Sequence, residues 1–317
     1  MKKFGEIGKV KDLVLDGFRA GLQFKGTKPA QGINQGTQFT LEMIENHAII
    51  DKFIDALQDD ESKHVICWLI RFRAALSIIG DKQTVLQHFF PSAISHEEHE
   101  VLLQKARNLP EAKLEQSIPV DLIENFLLGG YALSGICETL KGDTVLDLGV
   151  FNGNSTIDLA RRAGPSGRVI GFEPNPTLAK IAQKNIERMK VKAEIETAAA
   201  GQELGEIRFR QAGAASRVDP QGNISVPCIT VDRFVNERAL GNINFLKLDI
   251  EGHEVQALKG AQKTIEHSKP KIAVCVYHLA TDLTLIPTLI SSFHAGYRFY
   301  VRHRARHDGE IVMFCVP

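Results

Sequence analysis

The side chains best suited to chemistry are carboxylates and histidines standing behind apolar runs, in TVLDLGVFNGNST (144–156), RVIGFEPN (168–175) and NINFLKLDIEGHE (242–254). In the first, Val145, Leu146 and Leu148 have the apolar, β-branched character of a fully buried parallel strand. Gly149, Asn152, Gly153 and Asn154 break that run, and Ser155 and Thr156 are good helix starters ahead of Ile157, Leu159 and Ala160. Strand, tight turn and helix place backbone N–H groups and a helix N-terminus at the carboxyl end of a strand, where α/β sheets bind ligands. The spacing Gly149-x-x-x-Gly153 departs from the dinucleotide pattern G-x-G-x-x-G, and Asp147 precedes it. An acid there repels a pyrophosphate and attracts an ammonium or sulfonium, so a ligand with a cationic amino-acid end and a ribose fits better than NAD. The bland alternative is a packing turn without a ligand.

The second stretch ends in Glu173, where the second strand of such a unit offers a carboxylate to two ribose hydroxyls. Taken alone, Glu173 reads equally as an exposed strand-end acid. Pro174 and Pro176 open the next helix, since Pro is tolerated in a first turn. The third stretch sets Asp249, Glu251 and His253 behind another buried-type run.

With these residues assembled, the chain resembles the FkbM-type S-adenosylmethionine-dependent methyltransferases. FLKLDIEGHE is similar to the family hallmark after the fourth strand, and DLGVFNGNST to its cofactor loop, with Val150 where a small Ala is commoner. IAVCVYHLATDLTLIP and the later YRFYVRH match further on, so the resemblance covers roughly residues 120–317. It implies a cofactor site built from Tyr131 of FLLGGY, Asp147, Gly149, Asn152, Gly153, Asn154, Ser155, Thr156, Glu173, Pro174, Asn175 and Asp249. A hydroxyl acceptor must lose a proton, and His278 is the first candidate to take it, His253 the second, with Asp249 orienting the reactants. Each histidine also reads as a plain hydrogen-bonded residue, and Glu251-Gly252 as a helix-starting turn. Asp249, Glu251 and His253 have the hard-ligand chemistry of a Mg²⁺ site, but no pattern fixes a metal. Ser216 is a further contact implied by the resemblance alone.

Alternating strand and helix patterns from residue 144 onward imply a doubly wound, Rossmann-like parallel sheet of about seven strands, with an antiparallel last strand closing a hairpin. Pro110, Glu111, Lys113, Glu115 and Pro119 mark a boundary between a helical N-terminal module, 1–115, and a methyltransferase domain, 116–317. In the module, Val65, Leu69, Phe72, Leu76 and Ile79 form one stripe stopped by Gly80; Trp68 and Arg71 or Arg73 fall off it, to meet another domain or a second subunit or, as the bland reading, to form a solvated arginine face. Residues 21–38 read as a flexible arm, whose Gly21 and Gly26 only approximate a phosphate loop. His96-Glu97-Glu98-His99 lacks metalloprotease spacing, and Ser95 with Glu98 reads as a capping box. The arginines of RHRARH (302–307) either clamp an anionic substrate group or line a solvated turn.

Equal numbers of basic and acidic residues, 38 each, give no electrostatic case for a nucleic-acid partner. The five cysteines lack C-x-x-C spacing and read as buried thiols of a reducing cytosol. No signal peptide or membrane span is expected. The partner expected is a small-molecule or glycan acceptor, with a homodimer left open. An O-methyltransferase leads; a non-catalytic cofactor-binding or assembly module and a nucleotide-dependent sugar-modifying oxidoreductase are the alternatives.

Overall fold

The computed structural model describes residues 7–24, 34–92, 94–210, 217–218, 221–222 and 224–317. Residues 25–33 of the expected arm, and Ser216, lie outside the described residues, while the ends of the arm are helical rather than loop, belonging to the helices Val10–Gln23 and Gln35–Glu45. The helices are α1 (Val10–Gln23), α2 (Gln35–Glu45), α3 (His47–Ala56), α4 (Asp60–Ile79), α5 (Lys82–His88), α6 (His96–Arg107), α7 (Pro119–Leu122), α8 (Asn154–Ala163), α9 (Pro176–Met189), α10 (Val231–Glu237), α11 (Glu254–Lys259), α12 (Gln262–Ser268) and α13 (Asp282–Phe293). The strands are β1 (Thr144–Leu148), β2 (Arg168–Phe172), β3 (Glu194–Glu196), β4 (Ala199–Ala200), β5 (Gly205–Arg210), β6 (Arg217–Val218), β7 (Ile224–Ile229), β8 (Phe245–Leu248), β9 (Lys271–Cys275), β10 (Arg298–His303) and β11 (Ile311–Val316).

Seven strands form one sheet in the order β10-β11-β9-β8-β1-β2-β3. The pairs β9–β8, β8–β1, β1–β2 and β2–β3 are parallel. Chain order reverses beside β1, whose neighbours are β2 and β8, and this switch point leaves room for a ligand at the carboxyl edge. β10 and β11, adjacent and joined by a short connection, make the closing hairpin. The strands at the switch point are buried on both faces, which is why they read as apolar runs rather than alternations. A smaller sheet, β4-β7-β5-β6, is inserted between β3 and α10.

The chain divides into two compact units: Met1–His99 with Val276–Thr288 and Arg298–Met313, and Glu100–Cys275 with Leu289–Tyr297 and Phe314–Pro317. This division does not follow the linear boundary expected at 115/116, because the first unit recruits two late segments. Helix α4 shows why. Its stripe is buried as the spacing requires, and Trp68, Arg71 and Arg73 are buried too, which corrects the reading of a solvated arginine face. Trp68 stacks on Phe72 with ring centroids 5.3 Å apart and donates Nε1–H to the Phe90 carbonyl at 3.1 Å. Arg73 meets Asp308 at 2.9 Å and lies 4.2 Å from the Phe39 ring centroid. Arg302 is bound by Asp59 at 2.8 Å and Glu61 at 3.2 Å, so this arginine of RHRARH is neither a substrate clamp nor part of a solvated turn.

Local signals hold elsewhere in the fold. Gly80 caps α4 at φ 76°, and Ser95 and Glu98 exchange bonds of 3.1 and 2.7 Å as a capping box. All five cysteines are buried and free. Among the described residues, no helix is long and apolar enough to cross a membrane.

Candidate functional site

The second unit gathers the three sequence stretches at the carboxyl ends of β1, β2 and β8. β1 ends at Leu148, and Gly149 turns the chain at φ 91°. A Cβ on Gly149 would stand 1.8 Å from the Asp249 carbonyl oxygen, so this position needs glycine for both its dihedral and the close approach of β8. Phe151 also has positive φ, 54°, and Gly153 begins α8 at φ 96°. The larger Val150 is accommodated from behind: its Cγ2 lies 2.4 Å from where a Cβ of Gly171 on β2 would be.

The polar side chains of this turn brace the protein. Asp147, fully buried, accepts the hydroxyls of Ser155 at 2.8 Å and Thr156 at 2.6 Å on Oδ2, while its Oδ1 faces the Lys247 ammonium at 3.0 Å. Its charge is therefore balanced internally, which corrects the picture of an uncompensated acid drawing a sulfonium to the turn. Asn152 donates to the Gln116 carbonyl at 3.1 Å and accepts the Asn154 N–H at 3.2 Å; Asn154 donates to Ser117 Oγ at 3.4 Å. Asn185 of α9 bonds both the Glu115 and Asn152 carbonyls, at 3.0 and 2.8 Å. These amides pin segment 115–117 against the turn.

Glu173 lies behind β2 with 5% of its surface exposed. Its carboxylate accepts the N–H groups of Phe151 at 2.8 Å and Asn175 at 2.9 Å, which ties the end of β2 to the β1 turn. Burial pushes its carboxyl up to about 7, against the pull of those N–H bonds and of Lys247. Each carboxylate oxygen keeps a second acceptor direction, so the group retains capacity for hydroxyl donors. Pro174 follows it half-buried, and the Asn175 side chain caps α9 by accepting from Thr177 N at 2.9 Å and Leu178 N at 3.4 Å, with Pro176 in the first turn.

At the end of β8, Asp249 Oδ2 accepts the Tyr131 hydroxyl at 2.6 Å. Glu251 and Gly252 both have positive φ, 55° and 94°, making a tight reversal before α11. The reversal is held by Glu254, whose Oε1 accepts the Ile250 N–H at 2.9 Å. His253 precedes α11, its Nε2 3.3 Å from where a Cβ on Gly201 would lie; burial lowers its pKa despite Glu254, keeping the ring neutral at pH 7. His278 lies in the first unit, beyond β9, its ring 4.1 Å from that of Tyr277.

The structure thus brings Tyr131, Asp147, Gly149, Asn152, Gly153, Asn154, Ser155, Thr156, Glu173, Pro174, Asn175, Asp249 and His253 into the second unit, and places His278 in the first. Sequence reasoning passed over Lys247, Glu254 and Asn185. For Lys247 a signal existed: a lysine inside the buried run FLKLD has to find a partner.

Residues 147–299 match the family model described as Methyltransferase FkbM domain. A catechol O-methyltransferase of Mycobacterium tuberculosis is 39% identical over 67 residues, 21% of this chain and 30% of that protein. The hexuronic acid methyltransferase AglP of Haloferax volcanii is 25% identical over 158 residues, 49% of this chain and 64% of that protein. The chain therefore spans under a third of the one relative and just under two thirds of the other. A solved structure of methyltransferase FkbM from Methylobacillus flagellatus superposes with a TM-score of 0.60 at 18% identity, covering 89% of this chain and 62% of that one, a likeness of fold. Residues 147–299, carrying the β1 turn, Glu173 and the Asp249 strand end, are a domain of the FkbM methyltransferase family.

Proposed function

We propose that the chain is an S-adenosylmethionine-dependent O-methyltransferase acting on a hydroxyl of a sugar, glycan or natural product. The observation that carries this reading is the buried Glu173 carboxylate tied to the β1 turn through Phe151, beside the switch point of an FkbM-type sheet. The residues fit the cofactor: Glu173 accepts the ribose hydroxyls, the glycine turn admits close backbone approach, and Tyr131 with Asp249 borders the β8 side. When bound, the cofactor supplies a methyl group activated on a sulfonium. The protein's part is alignment and exclusion of water, which contributes on the order of 7–11 kcal/mol in well-oriented reactions. Proton removal from the acceptor falls to His278 first and His253 second, worth about 10² to 10⁴-fold. The relatives' names, a catechol O-methyltransferase and a hexuronic acid methyltransferase, support a hydroxyl-bearing acceptor of small size.

Titration calorimetry with S-adenosylmethionine, S-adenosylhomocysteine and NAD, each with and without Mg²⁺, tests the reading, with mass spectrometry of denatured protein to detect a co-purified ligand. Binding of the first two and not NAD is expected; NAD binding alone would replace the reading with an oxidoreductase. Once a screen yields an acceptor, His278→Ala is expected to keep cofactor affinity and lose turnover, and a fully active variant removes His278 as the base.

A further inference from the structure

Lys247 sits in the middle of β8 with 1% of its surface exposed, where a charge persists only with partners. Burial pulls its pKa down, but Asp147 and then Asp249 more than offset this, so the ammonium stays charged. Among the described residues its ionic, carbonyl and ring partners lie within the second unit and come from segments distant in sequence. The Nζ meets Asp147 Oδ1 at 3.0 Å and the Leu148 carbonyl at 3.4 Å, donates to the Gly149 carbonyl, and lies 4.6 Å from the Tyr131 ring centroid. Tyr131 in turn donates to Asp249 at 2.6 Å.

We propose that Lys247 is a positioning residue that locks the β1 turn to Tyr131 and, through the Tyr131 hydroxyl, fixes the Asp249 carboxylate at the acceptor side. The proposal rests on the methyltransferase reading of this site. Fold stability alone does not account for the lysine, because a buried ion pair replaced by uncharged side chains of similar volume often leaves stability unchanged or improved. Orientation does account for it. A single ammonium satisfies two turn carbonyls and Asp147 while presenting charge to an aromatic face, an attraction that holds the ring. Turn and phenol are thereby set by the same atom.

The test is a cycle of variants in the full chain, read by calorimetric affinity for S-adenosylmethionine and S-adenosylhomocysteine and by thermal denaturation. Asp147→Asn preserves an acceptor for Ser155 and Thr156, and combining it with Lys247→Met removes both charges. The combined variant is expected to melt close to wild type yet bind the cofactor about tenfold more weakly than Asp147→Asn alone. Tyr131→Phe is expected to weaken binding about fivefold in wild type but less than about twofold further in the combined variant, because the lock is already open. Affinity equal to Asp147→Asn, or a Tyr131→Phe effect of the same size in both backgrounds, overturns the proposal.

If the combined variant does not fold, Tyr131→Leu keeps both charges and removes the ring. Amide hydrogen exchange at Gly149–Asn152 is then expected to accelerate about tenfold or more, and unchanged exchange overturns the proposal. This arm needs no cofactor. Failure of wild type to bind either ligand would count against the methyltransferase reading, separately from the lock.

Discussion

At the residue scale, the carboxylate proposed to accept the ribose hydroxyls is also one whose protonation burial shifts toward neutrality. Glu173 is pushed up to about 7 chiefly by burial. Its ionised form is the one that accepts hydroxyl donors, so affinity rises with pH through that value. Between pH 6 and pH 8 the ionised fraction changes about tenfold, and S-adenosylmethionine affinity measured by calorimetry is expected to improve by about that factor. Folding stability runs the other way: protonation favours the native state, an advantage complete below the unfolded value near 4.5 and lost as pH rises through about 7. Glu173→Ala is expected to bind weakly with little pH dependence over the same range. Unchanged affinity in that variant would remove Glu173 from the cofactor site. The position of Glu173 was legible from RVIGFEPN, since an acid behind a buried run stands at a strand end. Its bonds to Phe151 and Asn175 were not, because they depend on how two turns meet.

At the scale of elements, the β1 turn and the end of β8 are held close by backbone, with no side-chain spacer between Gly149 and the Asp249 carbonyl. Gly149→Ala adds a Cβ at 1.8 Å from that oxygen and strains a φ of 91°. The change is expected to cost more than about 3 kcal/mol and abolish cofactor binding, measurable by urea denaturation and calorimetry. A variant of wild-type stability would mean that β8 moves freely against the turn. The glycine itself was readable as a chain-reversal residue, but its partner was not: Gly149 and Asp249 are a hundred residues apart, and only the parallel pairing of β1 with β8 brings them into contact. The same limit explains the asparagines. Asn152 and Asn154 resemble ligand-binding groups in sequence, whereas in the fold their amides pin 115–117.

At the scale of the whole molecule, the first unit is assembled from segments at both ends of the chain. Asp308, in the connection between β10 and β11, pairs with Arg73 at 2.9 Å and Lys82 at 3.2 Å, and burial lowers the Arg73 pKa while Asp308 opposes it. Asp308→Ala leaves a guanidinium buried without that carboxylate and is expected to cost about 3–5 kcal/mol, read as a fall in the urea midpoint. A loss below about 1 kcal/mol would show that the Phe39 ring and the backbone carbonyl of residue 308, 3.4 Å from the guanidinium, suffice for Arg73.

The amino-acid sequence by itself determined the local alphabet of this protein: buried parallel strands, glycine turns behind them, helix caps at Gly80 and Ser95, the helix opened by Pro176, and the hallmark stretch DIEGH. Each of these depends on neighbours within a few residues, where hydrophobic period and backbone freedom speak directly. Tertiary structure alone decided which charges are paired and where. Asp147 is a brace, Lys247 a buried bridge, and Arg73 and Arg302 are interior ion pairs, because the free energy of a charge depends on what the fold sets around it once water is removed.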